Sequence, residues 1–142
     1  MSPLRRHVLL ADAVFLGFAS TTALLADVIG VTFGLGPQGP FLSATPPAAV
    51  GFIEAHGLAL ILGVLFWRAA PARSWHLTAA AVHLLLGAVN LAFWRFFIAA
   101  DMLAVGYVTT LLHILFVLLQ SYAVFDEYCG THVPARPADR GA

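Results

Sequence analysis

His83, Gly87, Asn90 and Trp94 stand at i, i+4, i+7 and i+11 in an otherwise apolar run. A helix of 3.6 residues per turn gathers them into one narrow stripe, and His76, seven residues earlier, falls on the same stripe. An imidazole can hold a proton near neutral pH, accept a hydrogen bond or ligate a metal. In hydrocarbon nothing satisfies such groups except other protein atoms, so the stripe has to face neighbouring helices or a cavity. Gly87, in the middle of it, marks a close helix approach, as do Gly57, Gly63 and Gly106.

Other residues with chemical capacity are spread along the chain. Asp12, Ala19, Ala23 and Asp27 share one side of a first helical segment, with Ser20 beside them. His56, Gly63 and Trp67 share a face of a second, while Glu54 points nearly the opposite way. Gly106, Thr110, His113, Val117 and Gln120 share a side of a fourth. Cys129 and His132 have half of a metal-binding spacing, and a free thiol is the simpler reading.

These groups lie in a chain of 142 residues that is 61% hydrophobic and 10% charged, with a formal net charge of zero. That composition belongs to an integral membrane protein, not to a soluble domain. A basic surplus for nucleic acid is lacking. The sequence contains no lysine, which excludes Schiff-base chemistry, and a single cysteine, which excludes an intrachain disulfide. No Gly-rich phosphate loop is present.

Hydropathy and breakers set the elements that must position the polar groups. An all-α bundle of four transmembrane helices is expected, at about 8–30, 48–67, 75–97 and 103–125. Arg5-Arg6 before an apolar run resembles the start of a signal peptide, but Asp12 interrupts that run and its length suffices to span, so a retained first helix is expected. Gly34, Gly36, Pro37, Gly39, Pro40, Pro46 and Pro47 make residues 31–47 a loop on the membrane surface, either a lid over the bundle mouth or a passive connector. Residues 1–125 form one transmembrane domain, and 126–142 a polar, disordered tail. Arg5, Arg6, Arg68, Arg73, Arg136 and Arg140 fall on one side and only Arg95 on the other, which places both termini in the cytoplasm. Trp67 and Trp75 mark the inner boundary and Trp94 the outer. His56 and His83 are each followed, from the tenth residue on, by Phe-Trp-Arg, a weak internal echo.

Counting depth along these helices puts His113 about 15 Å, His56 about 12 Å, Asn90 about 10 Å and Glu54 about 9 Å from the outer boundary. Asp27 lies only one or two turns in, and His83 about 10 Å from the inner boundary. The expected cluster is therefore His56, Asn90 and His113, with Glu54 and Asp27, in the outer half of the bundle.

Several readings follow. His113, His56 and Glu54 supply acid–base groups, and Asn90, Trp94, Asp27 and Thr110 place a lipophilic small molecule such as a lipid, isoprenoid or quinone. Alternatively the polar groups only bind helices to one another in a non-catalytic accessory or structural subunit. As a third reading, His56 and His113, about 3 Å apart in depth, are opposed ligands of b-type haem. As a fourth, Asp12, Asp27, Glu54, His83 and His113 form a proton or ion pathway that nothing in the sequence orders. No cofactor is implied and no metal site is expected, because the depths scatter too widely for three or four convergent ligands. Expected partners are membrane lipids, a hydrophobic small molecule, and a second copy or a larger membrane complex.

Overall fold

A computed structural model describes residues 3–130, with side chains described through Phe125. Six helices follow in order: α1 (Pro3–Phe33), α2 (Gly39–Ala44), α3 (Pro46–Arg68), α4 (Arg73–Ala92), α5 (Trp94–Ala99) and α6 (Leu103–Gly130), and no strand forms among the described residues. Four of them, α1, α3, α4 and α6, are long and apolar enough to cross a membrane. The all-helical architecture with four such spans agrees with the expectation from hydropathy. The boundaries differ in four places.

The first helix begins earlier and runs through Arg5 and Arg6. Both arginines tie helix ends together instead of trailing into solvent. Arg5, 7% exposed, donates from Nε to the Ala123 carbonyl at 2.8 Å and from a terminal nitrogen to Val124 at 3.2 Å, both on α6. Arg6 donates to the carbonyls of Ala69 at 2.9 Å and Trp67 at 3.3 Å. Those carbonyls close α3, where no further turn satisfies them and where a cation is favoured by the helix dipole.

The segment expected as a continuous loop carries α2. Its breakers act as helix starters: proline occupies the first positions of both α2 and α3, where a missing N–H costs nothing. Gly34, at φ +65°, ends α1 by donating to the Gly30 carbonyl at 2.9 Å. The chain then folds back so tightly that a Cβ on Gly39 would lie 2.5 Å from the Gly34 carbonyl carbon. Leu42 of α2 is fully buried as a result.

The third spanning helix ends at Ala92, not at 97. Phe93 departs to φ −107°, ψ 29°, and the chain restarts as α5. No proline or glycine marks this break. Aromatic packing accounts for it: reorienting α5 brings Phe96 to 5.5 Å from both Phe41 and Phe52, and lays Phe97 over Gly106. Asp101, at φ 54°, then occupies the left-handed position usually given to glycine, and Met102 N–H closes on the Phe97 carbonyl at 2.8 Å. The fourth candidate span covers Leu103–Phe125 as expected, and its helix continues to Gly130. Residues 131–142, including His132 and most of the expected tail, lie outside the described residues, as does the Cys129 side chain.

α1 packs along α3, α4 packs along α6, and α1 also meets α6, which joins the two hairpins. The α1–α3 crossing is made by small residues: a Cβ on Gly63 would sit 3.0 Å from the Gly17 amide nitrogen and 3.3 Å from the Ala13 carbonyl oxygen. Leu9, Ala13, Leu16, Phe66, Ala69 and Ala79 form the apolar core at this end, with Trp75 against Phe66. The remaining surface is apolar on every span; Phe18, Leu58, Leu84 and Leu118 are 76%, 62%, 63% and 63% exposed.

Gly57 corrects one expectation. Its place in an apolar helix predicts a close helix approach, yet nothing lies within 4 Å of where its Cβ would be. Gly57→Ala is therefore expected to stabilise the protein by up to about 1 kcal/mol, by reducing the freedom of the unfolded chain. Gly39→Ala is expected to destabilise it by about 1–3 kcal/mol, because backbone has to move. Thermal unfolding of the two purified variants in detergent checks both signs.

Candidate functional site

α1 carries two buried aspartates, Asp12 and Asp27, both at 0% exposure. They are fifteen residues apart, about 22 Å along the axis and turned by roughly 60°. An unpaired carboxylate in an apolar interior costs several kcal/mol. Each aspartate meets that constraint in the same way, with one histidine and one glutamine amide.

At the end of the bundle where α1 meets α2, Asp27 Oδ1 accepts from Gln38 Nε2 at 2.7 Å, and Oδ2 faces His56 Nδ1 at 2.5 Å. With Asp27 ionised, Nδ1 carries the ring proton and Nε2 is left as an acceptor. The His56 side chain is 31% exposed, so that nitrogen lies on the open side of the pair. Phe52 is 6.3 Å from the His56 ring centroid, and Phe41 meets Phe52 and Phe96 edge to face, with Phe96 tilted on Phe52 at 5.5 Å. A buried carboxylate fixing the tautomer of a histidine whose other nitrogen is accessible is the arrangement that general bases use.

At the arginine-rich end a longer network joins three helices. His83 Nε2 faces Asp12 Oδ1 at 2.7 Å, and His83 Nδ1 faces His113 Nδ1 at 2.9 Å. Gln120 donates from Nε2 to Asp12 Oδ2 and accepts at Oε1 from His76 Nδ1, each at 2.5 Å. His76, His83, Gln120 and Asp12 are wholly buried, and only His113 retains exposure, at 8%. Phe15 and Phe116 sheathe the centre: Phe116 stacks on the His83 ring at 5.0 Å and on Phe15 at 5.1 Å, while Phe15 meets the His113 ring edge-on at 5.9 Å. Among the described residues His76 Nε2 is the buried side-chain atom without a hydrogen-bond partner.

The expected outer cluster is thus divided between separate stations. His113, expected beside His56, bonds to His83 instead, and the structure does not bring His56 and His113 together as opposed ligands. No group of three or more His, Cys, Asp or Glu side chains among the described residues is arranged to hold a metal ion. Asn90 donates to Thr109 at 3.1 Å and Thr110 at 3.3 Å, bridging α4 to α6 one turn from His113. Trp94 lies on α5 against Tyr107, at 4.8 Å, and Phe97, at 5.5 Å. Glu54 is exposed, consistent with its helical phase opposite His56.

Asp12 and His83 are expected only along a proton or ion pathway, and His76, Gln120 and Gln38 at no site. The signal for the first four was present, since each lies on a polar helix face. Depth misled the grouping: His113 near the midplane and His83 about 10 Å from the inner boundary differ by only about 5 Å, well within side-chain reach. Gln38 gave no signal, because only the fold of the α1–α2 turn aims it at Asp27.

Gln120→Leu removes a donor from Asp12 and strands His76 Nδ1, so a loss of about 2–3 kcal/mol is expected. Asn90→Val breaks a half-buried bridge, and a loss of at most about 1 kcal/mol is expected. Thermal melting in detergent, read side by side, checks the ranking; equal losses contradict it.

Comparison with protein-family models, with curated proteins and with solved structures finds no match, so the chemistry of these stations rests on their own side chains.

Proposed function

We propose that this chain is a four-span integral membrane protein, with both termini cytoplasmic, that binds a lipophilic small molecule at the Asp27–His56 station. Lipid is the solvent that fits an exterior of exposed Phe, Leu, Ile and Val on every span. Arg5, Arg6, Arg68 and Arg73 gather at one end of the spans and Arg95 at the other, which supports the cytoplasmic assignment.

The observation that carries the ligand reading is the oriented, half-open imidazole beside an aromatic wall. Nε2 of His56 accepts a hydrogen bond, so the molecule it suits presents a hydroxyl, as a reduced quinone, an isoprenoid alcohol or a lipid headgroup does. Phe41, Phe52 and Phe96 offer ring faces to its apolar body. Asp27 stabilises the imidazolium that forms if that hydroxyl gives up its proton, which makes His56 the acid–base group of the station. His113, Asn90 and Thr110 belong to the other hairpin and act elsewhere.

Glu54 supports an assembly larger than one chain. Its carboxyl is exposed on a spanning helix and has no partner among the described residues. In hydrocarbon such a group is either protonated or met by a neighbouring chain.

The test is mass spectrometry of small molecules that copurify with the native chain and with His56→Ala and His56→Gln. The expected result is a hydroxyl-bearing lipophilic species retained by the native protein and reduced by roughly 10-fold or more in both variants, the loss of one well-made polar contact. Equal retention in all three overturns the assignment to His56. A Soret band in the purified native protein favours the haem reading. Copurification with a larger complex and no retained small molecule favours the accessory-subunit reading.

A further inference from the structure

We infer that His113, His83 and Asp12 form a proton-loading site in the core of the bundle, filled and emptied through His113. The inference is independent of the His56 station, which lies on the other aspartate of α1.

The geometry fixes the order of the groups. His83 is bonded at both ring nitrogens, to Asp12 at 2.7 Å and to His113 at 2.9 Å. With Asp12 ionised, His83 carries its proton on Nε2 and accepts at Nδ1 from the Nδ1–H of His113. His113 Nε2 is then a free acceptor on the one ring of the network that keeps exposure, 8% against 0% for His83 and His76.

A proton taken up at His113 Nε2 makes that ring a cation with both nitrogens protonated. Its Nδ1 proton passes to His83 Nδ1, and the Nε2 proton of His83 passes to Asp12 Oδ1. One proton has entered, one proton rests on Asp12, and both histidines are neutral again with their hydrogen bonds reversed. Nothing is oxidised or reduced and no other bond breaks. The loaded state places no net charge among Phe15, Phe116 and the surrounding apolar groups, whereas the empty state keeps one carboxylate there.

The far end is closed. Asp12 Oδ2 is held by Gln120, whose amide accepts from His76 and does not pass a proton on as an imidazole does. The site therefore stores a proton and returns it by the way it came. Entry is at His113, the one ring of the network with exposure, one turn from where Asn90 bridges α4 to Thr109 and Thr110 of α6.

Other charged and titratable groups around Asp12 are few. Arg5 lies on the same helix, bonded to α6 carbonyls. His76 and His83 come from α4 and His113 from α6. On the opposite side of α1, α3 brings Arg68 to the groove lined by Ala13 and Gly17.

Infrared difference spectroscopy of the full chain in lipid nanodiscs tests this, between mildly alkaline and mildly acidic buffer. A carboxylic-acid carbonyl band is expected at acidic pH in the native protein. It should shift in heavy water and be absent from Asp12→Asn, which isolates it from Asp27, Glu54 and the remaining acids. After a pH jump, the band is expected to rise roughly 100-fold more slowly in His113→Gln, the loss typical of removing a positioned proton carrier. His113→Phe, which keeps the ring packing against Phe15, repeats the measurement should the glutamine variant fail to fold. A native spectrum with no band assignable to Asp12 overturns the proposal, and so does uptake at the native rate in a folded His113 variant.

Discussion

Two carboxyl groups buried on one helix set the terms for the rest of the structure. Asp12 and Asp27 have no exposure, and they lie on a helix long and apolar enough to cross a membrane. Each has to be neutralised and hydrogen-bonded by protein, or the bundle carries an uncompensated charge worth several kcal/mol against folding. Asp12 draws in His83 from α4 and Gln120 from α6. Asp27 draws in His56 from α3 and Gln38 from the turn before α2. α1 is thereby the helix that all the others must reach.

Packing follows from that demand. Small residues let the helices come close enough for short polar bonds to form. Gly63 admits the α1 backbone near Ala13 and Gly17, and Gly87 lies against the Cβ of His113. Aromatic rings then exclude other partners. Phe15 and Phe116 pack against His83, while Phe52, itself stacked with Phe41 and Phe96, is the ring against His56. The difference in enclosure separates the stations chemically. Both have an Asp, a His and a Gln, but the His83 ring is spent on two buried partners and the His56 ring keeps one nitrogen toward the outside.

The internal echo in the sequence has a structural counterpart. His56 and His83, each ten residues before Phe-Trp-Arg, are the two histidines that pair with the aspartates of α1. They do so at opposite ends of the bundle, as their antiparallel helices require. Their ring nitrogens are used differently, Nδ1 toward Asp27 and Nε2 toward Asp12, so the correspondence is one of placement and not of detailed geometry.

Composition and periodicity alone determined the all-helical class and the four apolar spans, because burial of the backbone in helices and a long apolar run are properties of local sequence. They also determined that His83 and Asn90 share a face, that His113 and Gln120 share a face, and that Glu54 points away from His56, since helical phase is fixed by spacing; the expectation that Glu54 joins the cluster is corrected by its exposure. Only the tertiary structure decided which of those faces meet. A count along one helix gives depth to within a turn or so, but not the rotation and offset of its neighbour, and His113 reaches His83 across that margin. The break at Phe93 and the aim of Gln38 were equally out of reach, because aromatic stacking on a distant helix and the fold-back at Gly34 and Gly39 set them. Pairing between helices is a property of three-dimensional packing, and that is where the hydrogen-bonded order His76, Gln120, Asp12, His83, His113 emerged from residues the sequence left scattered.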